Sequence, residues 1–206
     1  MWTFFYAQHT ISLATHIALE EAGAEFEAKR IDFAAREQQS PDYLAVNPKG
    51  RVPALVMENG VLTETPAMLM FVAQTYPSAG LAPLDDPFAL AKVQEFNSYI
   101  ASTLHVNHAH RMRGYRWSDD KAARETMKAK VPETMAASFA HVEDWYLDND
   151  FVCDGRFSVA DAYLFTVAQW MEGDGGDPDR FPKVRDHRAM MAERPAVKRA
   201  LVTQFA

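Results

Sequence analysis

Residues 47–55 read Asn-Pro-Lys-Gly-Arg-Val-Pro-Ala-Leu and residues 64–66 read Glu-Thr-Pro, and these two segments decide the fold. Gly50 permits a tight turn at positive φ. Pro53 opens an apolar strand, where its missing backbone N–H does least harm. If the Val52–Pro53 peptide bond is cis, the N–H and C=O of Val52 face outward and can pair with an extended peptide as an added strand. The first segment therefore predicts a strand edge that binds a peptide backbone.

The second segment predicts a helix start beside that strand edge. Thr65 is suited to the N-cap and Pro66 to the first helical position. A helix N-terminus attracts a carboxylate through its free N–H groups, and Glu64 beside it can hold an ammonium. Since a carboxylate and an ammonium on one carbon form the head of an amino acid, the two segments together predict a site for a peptide with such a head.

These residues resemble the glutathione transferase family, and the likeness extends along nearly the whole chain. Within the family, the bacterial beta class is the most similar. The matching segments are Ser12-Leu13-Ala14, His16-Ile17, residues 158–165, Arg194-Pro195 and residues 200–203. The resemblance implies an α/β thioredoxin-like N-terminal domain followed by an all-α helical C-terminal domain. It also implies a cytoplasmic, homodimeric glutathione S-transferase, an alkyl or aryl transferase of detoxification, that activates glutathione as a thiolate for addition to an apolar electrophile.

The elements expected in residues 1–76 support an α/β unit. Strands are expected at residues 2–6, 26–33, 53–57 and 61–62, the last two joined by an Asn59-Gly60 turn. Helices are expected from Thr10 or Ser12 to Gly23, at residues 40–46 and at residues 65–76. The order βαβ followed by ββα is typical of the mixed sheet of thioredoxin-like folds.

Residues 77–87 are rich in residues that break helices and strands, and they predict a linker. It separates a glutathione-binding domain at residues 1–76 from an all-helical domain at residues 88–206 that shapes the electrophile site. The expected helical elements are a long helix over 88–116, a second over 119–147 kinked at Pro132, a buried helix over 158–170, and one or two short helices after a loop at 173–179. Ser158 and Asp161 predict a capping box, which is a structural role.

The composition predicts a soluble globular protein. The 206 residues are 48% hydrophobic and carry a formal charge of −7, which argues against a nucleic-acid surface. No apolar run approaches the length that crosses a membrane, and residues 1–6 lack the basic start of a signal peptide. Cys153 is the only cysteine, so the sequence has no disulfide framework and no cysteine cluster for a metal. We therefore expect a cytoplasmic protein without nucleic-acid or membrane partners.

A glutathione transferase must convert the thiol of glutathione into a thiolate. A free thiol has a pKa of about 8.5, and lowering that pKa by two units requires roughly 2.7 kcal/mol. One charge-assisted hydrogen bond from a hydroxyl, worth about 1.5–3 kcal/mol, can supply most of this. We therefore expect a hydroxyl between the first strand and the first helix that points at the sulfur.

Three hydroxyls occupy that part of the sequence. Thr10 and Ser12 rank together as catalytic candidates, ahead of Tyr6, and His9 is a further possible donor. Each hydroxyl has an ordinary structural alternative, which is a helix cap for Thr10 or Ser12 and a core position for Tyr6. Where the beta class has its cysteine, this chain has Ile11, so a mixed disulfide with glutathione cannot form at that position.

The resemblance also implies which residues bind the tripeptide. The implied glutathione-binding set is Arg36, Arg51, Val52, Pro53, Glu64, Thr65 and His105. In this set Val52 pairs through its backbone beside a cis Pro53, and Glu64 with Thr65 holds the γ-glutamyl end. Either arginine can meet the glycyl carboxylate with two hydrogen bonds, and a solvated surface position is the alternative for a lone arginine.

The long helix after the linker is implied to form the opposite side of the site. Ser98, Ser102 and Thr103 match positions that contact the glutathione of the partner subunit. The implied electrophile pocket is lined by His9, His108, Tyr115, Trp117 and Trp170, together with Arg113. Because aromatic residues at helical spacing usually belong to a core, a core position is the alternative for Trp170.

The three histidines of this helix do not predict a metal site. Only His105 and His108 share a helical face, and His110 lies away from it. No third ligand is spaced to complete a site. The sequence therefore predicts glutathione as co-substrate and no metal.

Two other functions stay open at this point. One is glutathione-dependent peroxide reduction or isomerisation, because Ile11 weakens only thiol–disulfide chemistry by a residue of the enzyme itself. The other is a catalytically silent transferase-fold protein that binds partners. The missing cysteine and the undecided hydroxyl are the reasons to keep that second alternative, and the enzyme is the preferred interpretation.

Overall fold

A computed structural model describes residues 1–153 and 155–205 of the chain. The N-terminal part contains four strands, β1 (Trp2–Tyr6), β2 (Phe26–Arg30), β3 (Ala54–Met57) and β4 (Gly60–Thr63). They form one mixed sheet in the order β2-β1-β3-β4, in which β2 is parallel to β1 and the other pairs are antiparallel. The helices of this part are α1 (Ser12–Ala22), α2 (Pro41–Val46) and α3 (Thr65–Thr75). This arrangement confirms the predicted thioredoxin-like fold.

The C-terminal part is helical, as predicted. Its α-helices in the described residues are α4 (Pro87–Tyr99), α5 (His105–Arg113), α6 (Lys121–Trp145), α7 (Val159–Ala168), α8 (Pro182–Ala192) and α9 (Pro195–Phe205). The helix predicted over residues 88–116 is a single run that changes type, because a π-helical segment, Ile100–Leu104, joins α4 to α5 and a 3₁₀ turn, Gly114–Arg116, ends it. The helix α6 continues through Pro132.

The helix α7 lies at the centre of the core, and all ten of its residues are buried. Its predicted capping box is present, because Ser158 Oγ accepts the Ala160 N–H and the Asp161 carboxylate accepts the Ser158 N–H at 2.7 Å. The same carboxylate accepts the Val152 N–H at 2.8 Å and lies 3.0 Å from His187 Nε2. Asp161 therefore joins three segments of the core, which agrees with the structural role predicted for it.

Several strand boundaries differ from the prediction by one to three residues, among them β3, which begins at Ala54 rather than at Pro53. Gly60 pairs with Met57 across the hairpin, so the turn consists of Glu58 and Asn59 and lies one residue earlier than predicted. The strand β2 ends at Arg30 rather than at residue 33. It ends there because Asp32 Oδ1 accepts the N–H groups of the second and third residues after it, at 2.8 and 3.1 Å, and so closes a turn.

Two helix caps were also predicted wrongly. The N-cap of α1 is Ile11, whose side chain cannot accept a hydrogen bond. The neighbouring hydroxyls, which were predicted to cap this helix, bond elsewhere. The N-cap of α3 is Glu64 at φ 74°, so that Thr65 is the first helical residue and Pro66 the second. The predicted N-cap was therefore one residue too late, although the helix begins at residue 65 as expected.

The segment between the two parts is tied to the core at Leu81, whose carbonyl accepts the Val159 N–H at 2.9 Å. The division into two domains at residues 77–87 stays a prediction. No helix in residues 1–153 or 155–205 combines the length and the apolar character needed to cross a membrane.

Candidate active site

A cleft of about 740 Å³ lies between the N-terminal part and α5. Many of the predicted site residues line this cleft, namely His9, Thr10, Arg51, Val52, Pro53, Glu64, Thr65, His105, His108, Tyr115, Trp117 and Trp170. The other predicted site residues lie outside its lining, namely Tyr6, Ser12, Arg36, Ser98, Ser102 and Thr103. The first set has two sides, which we call the sheet wall (residues 47–53 and 63–66) and the helical wall (residues 101–117 with Trp170).

The sheet wall begins at the turn before β3, where the Val52–Pro53 peptide bond is cis as expected. Gly50 has φ 59°, in the left-handed region that favours glycine, and a Cβ atom there would lie 3.0 Å from the backbone oxygen of Gln38, so a larger residue would be strained. The carbonyl of Arg51 accepts hydrogen bonds from Tyr43 Oη at 2.7 Å and Asn47 Nδ2 at 2.6 Å. These contacts hold the turn in place.

The other end of the sheet wall is the start of α3. Thr65 is buried at this helix end, whereas the Glu64 side chain is 63% exposed. The carboxylate of Glu64 is already in contact with the ammonium of Lys49, which also donates to Thr63 Oγ1 at 2.6 Å. Sequence reasoning missed this role of Lys49, because no local pattern brings residues 49 and 64 together.

The three candidate hydroxyls have different surroundings. Tyr6 is buried and its Oη donates to the carbonyl of Thr203 at 3.1 Å, so it belongs to the core that holds α9. Ser12 is fully buried, and its Oγ donates to the Ala7 carbonyl at 3.0 Å. Thr10 is the one of the three that lines the cleft.

The hydroxyls of Thr10 and Ser12 form one small network. Their oxygens lie 2.7 Å apart, and both lie within hydrogen-bond distance of the Ala7 carbonyl, at 2.8 Å for Thr10 and 3.0 Å for Ser12. Thr10 Oγ1 also accepts the Ser12 N–H at 3.3 Å. Thr10 Oγ1 here donates to the Ala7 carbonyl. Because Ser12 Oγ can donate to Thr10 Oγ1 across the 2.7 Å contact, Thr10 can accept that proton and turn its own proton to a group in the cleft.

His9 lies beside Thr10 in the left-handed backbone region, at φ 57°. Its ring is 4.8 Å from the ring of Phe205 on α9. Arg36 also has a left-handed backbone, at φ 58°, and its side chain is exposed outside the cleft. Arg51 is therefore the better placed of the two candidate arginines.

The helical wall uses one face of α5, on which His105, His108, Ala109 and Met112 follow one another at helical spacing. The ring of His108 stacks on Trp170 at 4.0 Å, and its Nδ1 lies 2.7 Å from Asp174 Oδ2. Asp174 is buried and sequence reasoning missed it, since it lies in the loop at residues 173–179 and 66 positions away from His108.

The electrostatics of this wall are dominated by positive charge. Burial lowers the pKa of His105 to about 3, with further lowering by His108 and by the charges of Arg113, Arg116 and Arg51, so His105 is neutral. Tyr163 lies in the cleft lining, and burial, followed by the charge of Glu64, raises the pKa of its phenol. Sequence reasoning also missed this group of lining residues: Gln38, Gln39, Asn47, Met112, Arg116 and Tyr163.

The residues matched to the partner subunit lie on the outer surface of α4 and the π-helical segment. Ser98 and Ser102 are exposed, and Ser102 Oγ lies 3.5 Å from Thr103 Oγ1. Their role stays a prediction.

A thioredoxin-like sheet with a cis-proline turn, facing a helical wall across a cleft, defines a protein of the glutathione-binding transferase class. Family models for the glutathione S-transferase N-terminal domain and C-terminal domain match residues 3–74 and 97–195. The chain is also 33% identical to glutathione S-transferase GstA of Escherichia coli O157:H7 over 96% of each protein. The chain therefore belongs to the glutathione S-transferase family.

Two solved structures of this family are similar to the chain over nearly its whole length. A glutathione transferase homologue from Sulfitobacter, crystallised with bound glutathione, is 46% identical, with a TM-score of 0.97 over 100% of this chain and 99% of that one. The beta-class glutathione S-transferase of Sphingomonas chungbukensis is 32% identical, with a TM-score of 0.86 over 98% of each chain. These likenesses confirm the predicted family and its similarity to the bacterial beta class.

Proposed function

We propose that this enzyme conjugates glutathione to an electrophile in the cleft, with Thr10 as the residue that stabilises the thiolate. The tripeptide lies along the sheet wall, with its γ-glutamyl head at Glu64 and Thr65 and its backbone paired with Val52. Its glycyl carboxylate meets Arg51. The observation that carries this assignment is the position of the Thr10 hydroxyl at the cleft, backed by the buried hydroxyl of Ser12.

Thr10 has the hydrogen-bonding capacity that this role requires. Its oxygen accepts the Ser12 N–H and can also accept the proton of Ser12 Oγ, while its own proton turns from the Ala7 carbonyl to the sulfur. A hydrogen bond to a charged acceptor is worth about 1.5–3 kcal/mol, which lowers the pKa of the bound thiol by about one to two units. Ser12 is then a positioning residue, because it acts through Thr10 and has no contact with the cleft.

The reaction needs no redox partner. The thiol of glutathione releases its proton to solvent, and the sulfur lone pair forms the new bond to the electrophilic carbon. In a substitution the leaving group departs with its bonding electrons. In an addition to a double bond, solvent returns a proton to the neighbouring carbon. The apolar residues of the helical wall, among them Val106, Met112 and Trp170, hold the body of the electrophile.

Replacement of Thr10 tests the assignment directly. Thr10→Val keeps the shape but removes the donor, so we expect the pKa of bound glutathione to rise by about one to two units and kcat/KM to fall about tenfold to a hundredfold. Thr10→Ser is the matched control and keeps the thiolate. The readouts are the ultraviolet absorbance of the thiolate against pH and turnover of a chlorodinitrobenzene.

Two results would contradict this proposal. An unchanged thiolate titration in Thr10→Val would exclude Thr10 as the donor. If Ser12→Ala raised the pKa of bound glutathione more than Thr10→Val does, Ser12 would be the donor instead. Calorimetry with glutathione separates the enzyme from a partner-binding protein of the same fold, since the latter would bind none.

The proposed enzyme is a cytoplasmic homodimer in which Ser98, Ser102 and Thr103 of one subunit reach the glutathione of the other. The exposure of Ser98 and Ser102 supports this, since neither is used by the fold of its own chain. Sedimentation velocity at enzyme concentrations used in the assays measures the assembly state, and a stable, active monomer would contradict the proposal.

A further inference from the structure

Two arginines of the helical wall face the cleft without an acidic partner in the described residues. Arg113 is the last residue of α5 and is half-buried, and Arg116 follows it in the 3₁₀ turn. Both line the cleft. Among residues 1–153 and 155–205, no carboxylate oxygen lies within 4.0 Å of either guanidinium. The positive charge at this end of the cleft is therefore uncompensated within the described chain.

Most other half-buried arginines of the described residues have a carboxylate partner. Arg111, two residues earlier on the same helix, lies 3.3 Å from a carboxylate oxygen of Asp174. Arg188 and Arg194, each mostly shielded, contact Glu172 and Glu21 at 2.6 Å. Arg124 on α6 has no such partner in the described residues either, but it lies outside the cleft lining, whereas Arg113 lies in it. A charge withdrawn from water without a partner is unfavourable, so an unpaired arginine that faces a binding cleft favours an anionic ligand there.

The local electrostatics agree with this geometry. Burial lowers the pKa of the Arg113 guanidinium, and the positive charges of Arg116 and Arg51 act in the same direction. The charges of all three arginines also lower the pKa of His105, although burial is the main cause there. An anion bound among these groups would relieve their mutual repulsion.

We propose that Arg113 and Arg116 bind a carboxylate on the electrophile, so that the preferred substrates are electrophiles with an apolar body and an anionic group. The planar fork of a guanidinium fits a carboxylate through two parallel hydrogen bonds. The inference rests on the proposed function, since it assigns the second substrate of that same site. The carboxylates of glutathione have other partners on the sheet wall, at Arg51 and at the start of α3.

A matched pair of ligands tests the inference with and without turnover. The reactive pair is a chlorodinitrobenzoate and its methyl ester, in each of which the glutathione sulfur displaces chloride. The unreactive pair is a dinitrobenzoate and its methyl ester, and their affinities are measured by calorimetry in the presence of S-methylglutathione. For each variant, the kcat/KM or the affinity for the acid is divided by that for the ester. This ratio cancels the intrinsic reactivity of the compounds.

We expect Arg113→Gln to lower the acid-to-ester ratio about tenfold, both in kcat/KM and in affinity, because one charge-assisted contact to the carboxylate is lost. Arg113→Lys should recover part of the ratio, since it restores the charge but not the fork. Arg30→Gln removes an exposed arginine outside the cleft and is the control, for which the ratio stays at the wild-type value.

Several outcomes would overturn the inference. An unchanged ratio in Arg113→Gln would do so, and a higher KM for glutathione in that variant would assign Arg113 to the tripeptide instead. Loss of the dimer in Arg113→Gln, seen by sedimentation, would show that a partner carboxylate pairs with it. If the wild-type enzyme turns over neither reactive compound but binds the unreactive acid more tightly than its ester, the proposed function fails while the anion site stands.

Discussion

The two walls of the cleft are built by different means. The sheet wall presents backbone groups and a helix start, and its turn is held by Tyr43 and Asn47. The helical wall presents side chains: a neutral histidine, a stacked histidine and tryptophan, and arginines that have no carboxylate partner in the described residues. A wall of backbone groups suits a ligand that is always the same, whereas a wall of side chains can be altered one residue at a time. The difference suggests that the sheet wall determines the common co-substrate and the helical wall determines the electrophile.

The largest expected effect contrasts two neutral histidines, His16 in the core of the N-terminal part and His105 in the helical wall. Burial lowers the pKa of His16, on α1 in the N-terminal part, to about 4, and its Nδ1 accepts a hydrogen bond from Gln204 at 3.2 Å. The unfolded chain binds a proton at this residue below a pH of about 6.5, whereas the folded chain does so only near 4. The free energy of unfolding should therefore fall as the pH falls through this window, by about 3 kcal/mol in total.

Urea unfolding at several pH values measures this dependence. In His16→Gln the slope of unfolding free energy against pH should decrease by about 1.4 kcal/mol per pH unit between those limits. The pKa of His105 is lowered to about 3 by burial and then by neighbouring cations. Because salt screens those cations, the effect of His105→Gln on the slope of unfolding free energy against pH should shrink at high ionic strength. The effect of His16→Gln on that slope should not shrink. If the effects of the two variants depended equally on salt, neighbouring cations would not be what distinguishes His105 from His16.

The parts of this protein that depend on local sequence could be predicted. The turn at Gly50 and Pro53 and the capping box of α7 each follow from a few adjacent residues, and they appeared where they were expected. The order of strands and helices then led to the fold. Errors of one residue, such as the hairpin turn at Glu58 and Asn59, arose where two neighbouring positions suited the same role.

The parts that depend on distant residues could not be predicted. The choice between Thr10 and Ser12 depends on a loop in which His9, not a glycine, takes a positive φ, and no residue type signals that. The contact of Lys49 with Glu64 and that of His108 with Asp174 join segments far apart in the chain. Such pairs are fixed by the tertiary packing within each part, so they became visible only in the folded chain.

An intermediate effect is expected at the support of the helical wall. Asp174→Asn removes the charge that Arg111 and His108 contact, and the free energy of unfolding should fall by about 2 kcal/mol. Because the His108 ring then loses its orientation against Trp170, KM for the electrophile should rise while KM for glutathione stays unchanged. Asp177→Asn is the control, since Asp177 is exposed and asparagine caps its turn equally well. A parallel rise in both KM values would mean that the walls do not act separately.

The smallest expected effect lies on the sheet wall, at the contact between Lys49 and Glu64. Glu64→Gln keeps the side-chain shape and removes the charge that holds the ammonium of glutathione, so Kd for glutathione should rise about threefold to tenfold. The effect stays this small because the Glu64 side chain is 63% exposed and water screens it. Lys49→Gln should act in the opposite direction and tighten glutathione binding a few-fold, because Lys49 competes with that ammonium for one carboxylate. Calorimetry measures both, and weaker binding in Lys49→Gln would show that Lys49 itself holds a carboxylate of glutathione, which would make the sheet wall as dependent on side chains as the helical one.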